Sequence, residues 1–147
     1  MHISFDLDST LIPHGQEFET ELIGSTGLHT RIGDQAREIG YWTNINRINQ
    51  GYATEAVRAL VKVGFEIEQL DWLEIRCEPQ NIRSQGIPKK LGFQLEATLK
   101  DRTTNVNGEL RDVMIWSLYR AAYPKSALRK IKVRAFDVLG QSIQIIN

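Results

Sequence analysis

The stretch best suited to chemistry is Gln50-Gly51-Tyr52-Ala53-Thr54-Glu55-Ala56, where a polar loop gives way to a helical pattern. A helix start leaves its first N–H groups without acceptors and presents the positive end of the backbone dipole, and both favour a phosphate or pyrophosphate. Gly51 lets the backbone come close to such an anion, small Ala53 keeps the turn uncrowded, and Arg47 stands near enough to add a charge-assisted contact. From these residues alone the plainer reading, a glycine that merely caps a helix, stays open. Other reactive side chains are dispersed. His2, His14 and His29 have no ligand spacing, so no metal site is expected. Cys77, the single cysteine, sits in the apolar run from Leu70 to Glu78 without a neighbouring histidine, which suits a small core residue in a reducing compartment better than a nucleophile.

These residues need elements to hold them. Ala53, Val57, Leu60, Gly64 and Ile67 recur at helical spacing with Glu55, Arg58, Lys62 and Glu66 on the other side, which predicts an amphipathic helix from about Gly51 to Glu68. Before it, Leu22 to His29 and Arg37 to Thr43 read as strands joined by a hairpin connection, Thr30 to Ala36, and followed by the polar loop Asn44 to Gln50. After it come a buried strand, Trp72 to Cys77, and a short helix, Asn81 to Leu91, stopped by Gly92. Pro88 lies inside that helix and has no N–H for the carbonyl four residues back, so the Ser84 carbonyl is freed and a bend is expected. Phe93 to Lys100 and Leu110 to Tyr119 are two further strands, linked by a polar loop with the turn signal Asn107-Gly108. Met114, Trp116 and Leu118 alternate with Val113, Ile115 and Ser117, which predicts a central last strand covered on both faces. Beyond Pro124, Ile131 to Phe136 and Gln141 to Ile146 flank Leu139-Gly140 and suggest a terminal β-hairpin.

With 147 residues the chain can bury a core as one domain. Eighteen basic residues balance eighteen acidic ones, so there is no broad field, and neither a nucleic-acid partner nor membrane association is expected. Any anion site must be local. No run approaches the roughly 18 apolar residues of a membrane span and no targeting pattern opens the chain, so the expected location is cytoplasmic.

Taken in order, Arg37-Glu38-Ile39-Gly40-Tyr41-Trp42, then Gln50 to Ala56, then Asn81-Ile82-Arg83-Ser84, then Ile87-Pro88-Lys89-Lys90-Leu91-Gly92-Phe93 resemble the successive motifs of GNAT-superfamily N-acetyltransferases, most closely the RimJ/RimL branch. Gly108-Glu109-Leu110-Arg111-Asp112 leading into Trp116-Ser117-Leu118 resembles the start of that family's last core strand, so the likeness covers about two thirds of the chain. The resemblance implies an α+β GNAT fold: a mixed, mostly antiparallel sheet with flanking helices, splayed between the strands 37–43 and 72–77. It implies acetyl-CoA as cosubstrate, with the pyrophosphate at Gln50, Gly51, Tyr52, Ala53 and Thr54 near Arg47, and the pantetheine arm along Ile39, Gly40, Tyr41, Trp42 and Thr43. A glycine at 40 suits a bulge or a close backbone approach. Asn81 matches a position near the cofactor arm and Ser84 one from which a hydroxyl reaches the departing thiolate; as helix caps both residue types are equally at home. The implied reaction is acetyl transfer to a primary amine, either a protein N-terminus or a small amine. Glu38 is the candidate base, directly or through water, and its other reading is a solvated strand residue. Asp101-Arg102-Thr103-Thr104 is read as loop where some relatives carry a glutamate.

Residues 1–21 depart from this pattern. Ile3-Ser4-Phe5-Asp6-Leu7-Asp8-Ser9-Thr10-Leu11 resembles the opening motif of haloacid dehalogenase-like (HAD) phosphohydrolases, in which Asp6 and Asp8 would be nucleophile and general acid. The expected organisation is thus a HAD-like remnant at 1–21, a GNAT domain at 22–123 lacking its first strands and acceptor helices, and an extension at 124–147. Missing acceptor helices open an alternative, a truncated CoA-binding module without turnover. They also leave an exposed edge at Leu22 to Leu28, which would pair with Ile3 to Leu7 or with a second copy as a homodimer.

Overall fold

A computed structural model describes residues 2–6, 22–136 and 141–143. Six strands form one sheet: β1 (His2–Asp6), β2 (Leu22–His29), β3 (Ala36–Thr43), β4 (Trp72–Cys77), β5 (Gln94–Thr104) and β6 (Leu110–Tyr119), in the order β1-β2-β3-β4-β6-β5. All neighbours are antiparallel except β3 and β4, which run parallel because α1 (Tyr52–Glu66) crosses between them. A second helix, α2 (Ile82–Leu91), joins β4 to β5. The exposed edge expected at Leu22 to Leu28 is covered within the chain, since β1 pairs with β2 from His2↔Gly27 to Asp6↔Leu22.

One face of the sheet carries the core. Leu28, Ile39, Leu73, Ile75, Trp116 and Leu118 point to the same side and pack against Val57, Leu60, Val61 and Phe65 of α1 and Leu91 at the end of α2. Cys77 belongs to this cluster, and burial pushes its thiol pKa up. Gly64 of α1 packs tightly on its neighbours: a Cβ there would lie 3.0 Å from Leu73 Cδ2 and 3.3 Å from Leu70 Cδ1. Both leucines are fully buried, so their methyls have nowhere to go. Gly64→Ala gains about 1 kcal/mol of helix propensity but overpacks at a cost of roughly 1–3 kcal/mol. The expected result is a net loss of stability in urea unfolding; a more stable alanine variant would show that Leu73 can yield.

Several sequence expectations need correction. Lys62, assigned to the solvent face of α1, is 4% exposed. Two 3-10 turns, Arg120–Lys125 and Ala127–Lys130, fold back over that part of α1, and Lys62 Nζ donates to the carbonyls of Arg129 and Ile131 at 3.1 Å each. β6 is interior, yet full burial is confined to Trp116–Leu118, and its outer neighbour β5 is an exposed edge strand. Asp101 to Thr104 is strand rather than loop; a register shift between Leu99 and Thr103 places Asp101 at φ 51, where the Asp112 carboxylate accepts its N–H. The terminal hairpin pairs β7 (Ala135–Phe136) with β8 (Ser142–Ile143), residues 131–134 are not strand, and 144–146 of the second expected strand lie outside the described residues.

Candidate functional site

β3 and β4 pair over three residues, Ala36↔Trp72, Arg37↔Leu73 and Glu38↔Glu74, and then part. From Ile39 to Thr43, β3 keeps β2 on one side but has lost β4 on the other. The divergence opens a cleft of about 460 Å³. Its walls are Tyr41, Trp42 and Thr43 of β3; Arg47, Ile48 and Asn49 of the loop; Gly51, Tyr52, Ala53 and Thr54 at the start of α1; and Asn81, Arg83, Ser84, Gly86, Ile87 and Lys90 of α2.

The start of α1 has no side-chain cap. Gly51 adopts φ 91, in the left-handed region that glycine enters without steric penalty, and offers no side chain to cap the helix. The first helical bond is Glu55 N–H to Gly51 carbonyl at 3.0 Å, so the preceding N–H groups, which lack intrahelical acceptors, are left for the cleft. Arg83 and Lys90 join Arg47 on the same cleft, and neither makes an ion pair among the described residues.

α2 is fixed to the other wall by two polar contacts. The Asn81 side chain caps it, accepting the Ser84 N–H at 3.1 Å. Ser84 is therefore capped rather than capping. Its carbonyl, released by Pro88, accepts the Tyr41 hydroxyl at 2.9 Å. Burial raises the Tyr41 phenol pKa, so the hydroxyl keeps its proton and remains a donor. The tie joins β3 to α2 across the region where β3 and β4 diverge.

Not every expected residue reaches the cleft. Ile39 is 2% exposed and belongs to the core, while Gln50 is exposed beside Gly51 without lining the cavity. Of the two readings of Gly40, a bulge or a close approach, the bulge is absent, since β2 and β3 stay in register from Gly24↔Thr43 to His29↔Glu38. A side chain at 40 would instead meet the His29 ring, 2.8 Å from Nε2. Glu38 lies at the fork on the opposite face of the sheet from the core. Arg31 Nη1 is 3.5 Å from its Oε1 and Arg76 Nε 3.8 Å from its Oε2. Arg76 also holds Glu74 at 3.0 Å, and Trp72 Nε1 donates to Glu74 at 3.3 Å. Asp6 ends β1 and Asp8 lies outside the described residues. Among the described residues no group of His, Cys, Asp and Glu could hold a metal ion, and no helix is long and apolar enough to cross a membrane.

The sequence reading missed Ile48, Asn49, Arg83, Gly86, Ile87 and Lys90. Four of them carried a signal: 83, 86, 87 and 90 share one helical face with the spacing i, i+3, i+4, i+7.

A family model described as the acetyltransferase (GNAT) domain matches residues 10–94. The chain belongs to the GNAT acetyltransferase family. The match begins inside the segment 1–21 that the HAD-like motif had set apart. The chain is 36% identical over 104 residues to the uncharacterized N-acetyltransferase p20 of Bacillus licheniformis, covering 70% of this chain and 58% of p20. It is 33% identical over 84 residues to the ribosomal-protein-serine acetyltransferase of Escherichia coli, covering 56% of this chain and 46% of that enzyme. It thus spans about half the length of the curated relatives it matches. A crystal structure of a GNAT-family acetyltransferase from Bacillus anthracis superposes with a TM-score of 0.64 at 30% identity, over 70% of this chain and 61% of that one. The GNAT fold accounts for the splay, a V between parallel neighbours beside an uncapped helix start.

Proposed function

We propose that this GNAT chain binds acetyl-CoA in the cleft and transfers the acetyl group to a primary amine, with a protein N-terminus favoured as acceptor over a small amine. The observation that carries the reading is the cleft itself, where a strand freed from one neighbour runs beside a glycine-initiated helix start flanked by Arg47, Arg83 and Lys90. The pyrophosphate would be held by the N–H groups following Gly51 and by these cations, and the pantetheine arm would lie along Tyr41, Trp42 and Thr43. The protein-acceptor preference draws on the ribosomal-protein substrate in the name of the Escherichia coli relative.

In the reaction a neutral amine attacks the thioester carbonyl, the tetrahedral intermediate expels the CoA thiolate, one proton leaves the nitrogen and one reaches the sulfur. Glu38, at the fork where β3 and β4 separate, would receive the amine proton through water, with Arg31 and Arg76 beside its carboxylate. Ser84 would steady the departing thiolate. Because a thiolate leaves readily, Ser84→Ala is expected to lower kcat by only about tenfold or less, below the roughly 10²–10⁴-fold typical of a required proton transfer, with CoA affinity unchanged. An alanine variant with normal turnover would return Ser84 to a structural role.

The test is calorimetry with CoA beside a thiol-release assay using acetyl-CoA, a panel of small amines and ribosomal-protein N-terminal peptides. Binding together with turnover supports the proposal. Binding without turnover on any acceptor supports the alternative of a CoA-binding module, and absence of CoA binding refutes both.

A further inference from the structure

The zero net charge of this chain conceals a segregated run. Lys125, Arg129, Lys130, Lys132 and Arg134 place five cations within ten residues that contain no acid. All five are exposed, and none takes part in an ion pair among the described residues. The backbone that displays them is pinned. Leu128 and Tyr123 are each 5% exposed, the Tyr123 ring lies 4.9 Å from that of Phe65, and its hydroxyl donates to Glu66 Oε1 at 2.6 Å. Lys62 holds two carbonyls of the same segment. Ile131 and Val133 are half-buried between exposed Lys130, Lys132 and Arg134, which turns those cations outward together.

We propose that residues 125–134 form a strap that docks the phosphate backbone of RNA. The cations are spread along a segment rather than converged on one point, which fits a polyanion better than a small anion. Their fixed backbone limits the ordering entropy lost on binding. A concavity of about 560 Å³ lined by Lys125, Ser126, Arg129 and Lys130 gives a backbone room to settle; Glu66 also lines it, with its carboxylate 3.4 Å from Lys62 Nζ and accepting the Tyr123 hydroxyl. A membrane surface fits less well, because none of the large exposed hydrophobic side chains lies in the strap, and interfacial binding uses such residues for insertion. The strap packs on the C-terminal part of α1, through Lys62, Phe65 and Glu66, whereas the cleft lies at its N-terminus. The strap contacts at Lys62 to Glu66 begin eight residues beyond Thr54, at least roughly 12 Å along α1 at 1.5 Å per residue. Docked RNA therefore leaves the cleft open. Choosing RNA over DNA rests on the protein-acceptor reading above, since a ribosomal protein presents its N-terminus beside RNA; the electrostatic surface does not rest on that reading.

The experiment is fluorescence anisotropy of the whole chain with a single-stranded RNA of about 20 nucleotides between about 50 and 200 mM salt. Binding is expected to weaken with salt, with a log–log slope near −3.5 when all five cations contact phosphates, at about −0.7 per contact for a single strand. Triple reversal, Lys130→Glu with Lys132→Glu and Arg134→Glu, is expected to weaken binding at least about tenfold and to flatten the slope by about 2, with melting temperature and CoA affinity unchanged. No RNA binding at the lowest salt, equal binding by the reversed variant, or tighter binding of matched DNA or of phosphatidylserine vesicles overturns the proposal. RNA binding retained in a chain that fails to bind CoA counts against the proposed function and for the strap.

Discussion

Gly51→Val is expected to lower CoA affinity by one to two orders of magnitude while the sheet stays folded. Gly51 stands at φ 91 with nothing within 4 Å of the position a Cβ would take, so valine meets no clash and the penalty is conformational. Left-handed backbone costs an L-residue about 1–2 kcal/mol, and a β-branched one more. The chain escapes that strain by rotating residue 51, which turns the N–H groups of Tyr52, Ala53 and Thr54 away from the proposed pyrophosphate site. Each hydrogen bond lost to a charged group is worth about 1.5–3 kcal/mol, and 1.4 kcal/mol is tenfold in affinity. The fold tolerates the change because the first fully buried residue of α1 is Val57, more than one turn further on. Gly51→Asn is the control, since asparagine visits the left-handed region and should keep most of the affinity. Calorimetry and thermal melting on the three proteins decide the matter. A valine variant that melts and binds like the parent would remove the helix start from the binding site.

Local pattern made much of this legible, and contact between distant segments made the rest illegible. The strand Trp72–Cys77 could be read to its ends because Leu73, Ile75 and Cys77 alternate with Glu74 and Arg76 between Asp71 and Glu78. The freed Ser84 carbonyl followed from the proline alone, since a missing N–H four residues on is covalent fact. What fills that carbonyl did not follow: Tyr41 arrives from 43 residues away. Lys62 fits a solvent-facing helix position by periodicity, and only the return of the 120–131 segment buries it. Charge balance carries no information about placement. It summed the acids of α1 and the loops with cations that the fold displays on their own surface at 125–134. The cleft was half-visible: its glycine-led helix start is a sequence motif, but Arg83 and Lys90 enter it through the facing of α2.

The tie between Tyr41 and Ser84 gives the second large effect, read as a coupling rather than a single loss. Tyr41→Phe leaves a partly buried carbonyl without its hydroxyl donor, and the expected destabilisation is about 1–3 kcal/mol. Pro88→Ala restores an N–H one turn along the helix, which can close the i to i−4 bond that proline forbids. In that background the carbonyl no longer depends on Tyr41, so Tyr41→Phe should cost about 1 kcal/mol less than in the parent, beyond the roughly 0.3–0.5 kcal/mol within which independent sites add. Urea unfolding of the parent, both single variants and the double variant measures the difference. The consequence for function follows from what the bond joins. With the hydroxyl gone, β3 and α2 are no longer linked at the splay, so the Tyr41→Phe chain should bind CoA more weakly, and Pro88→Ala should not rescue that loss, because a carbonyl satisfied within the helix does not reconnect it to the strand. Additive stabilities would show that the Ser84 carbonyl is served by another donor, and recovery of CoA affinity in the double variant would show that the cleft depends on the straightness of α2 and not on its link to β3.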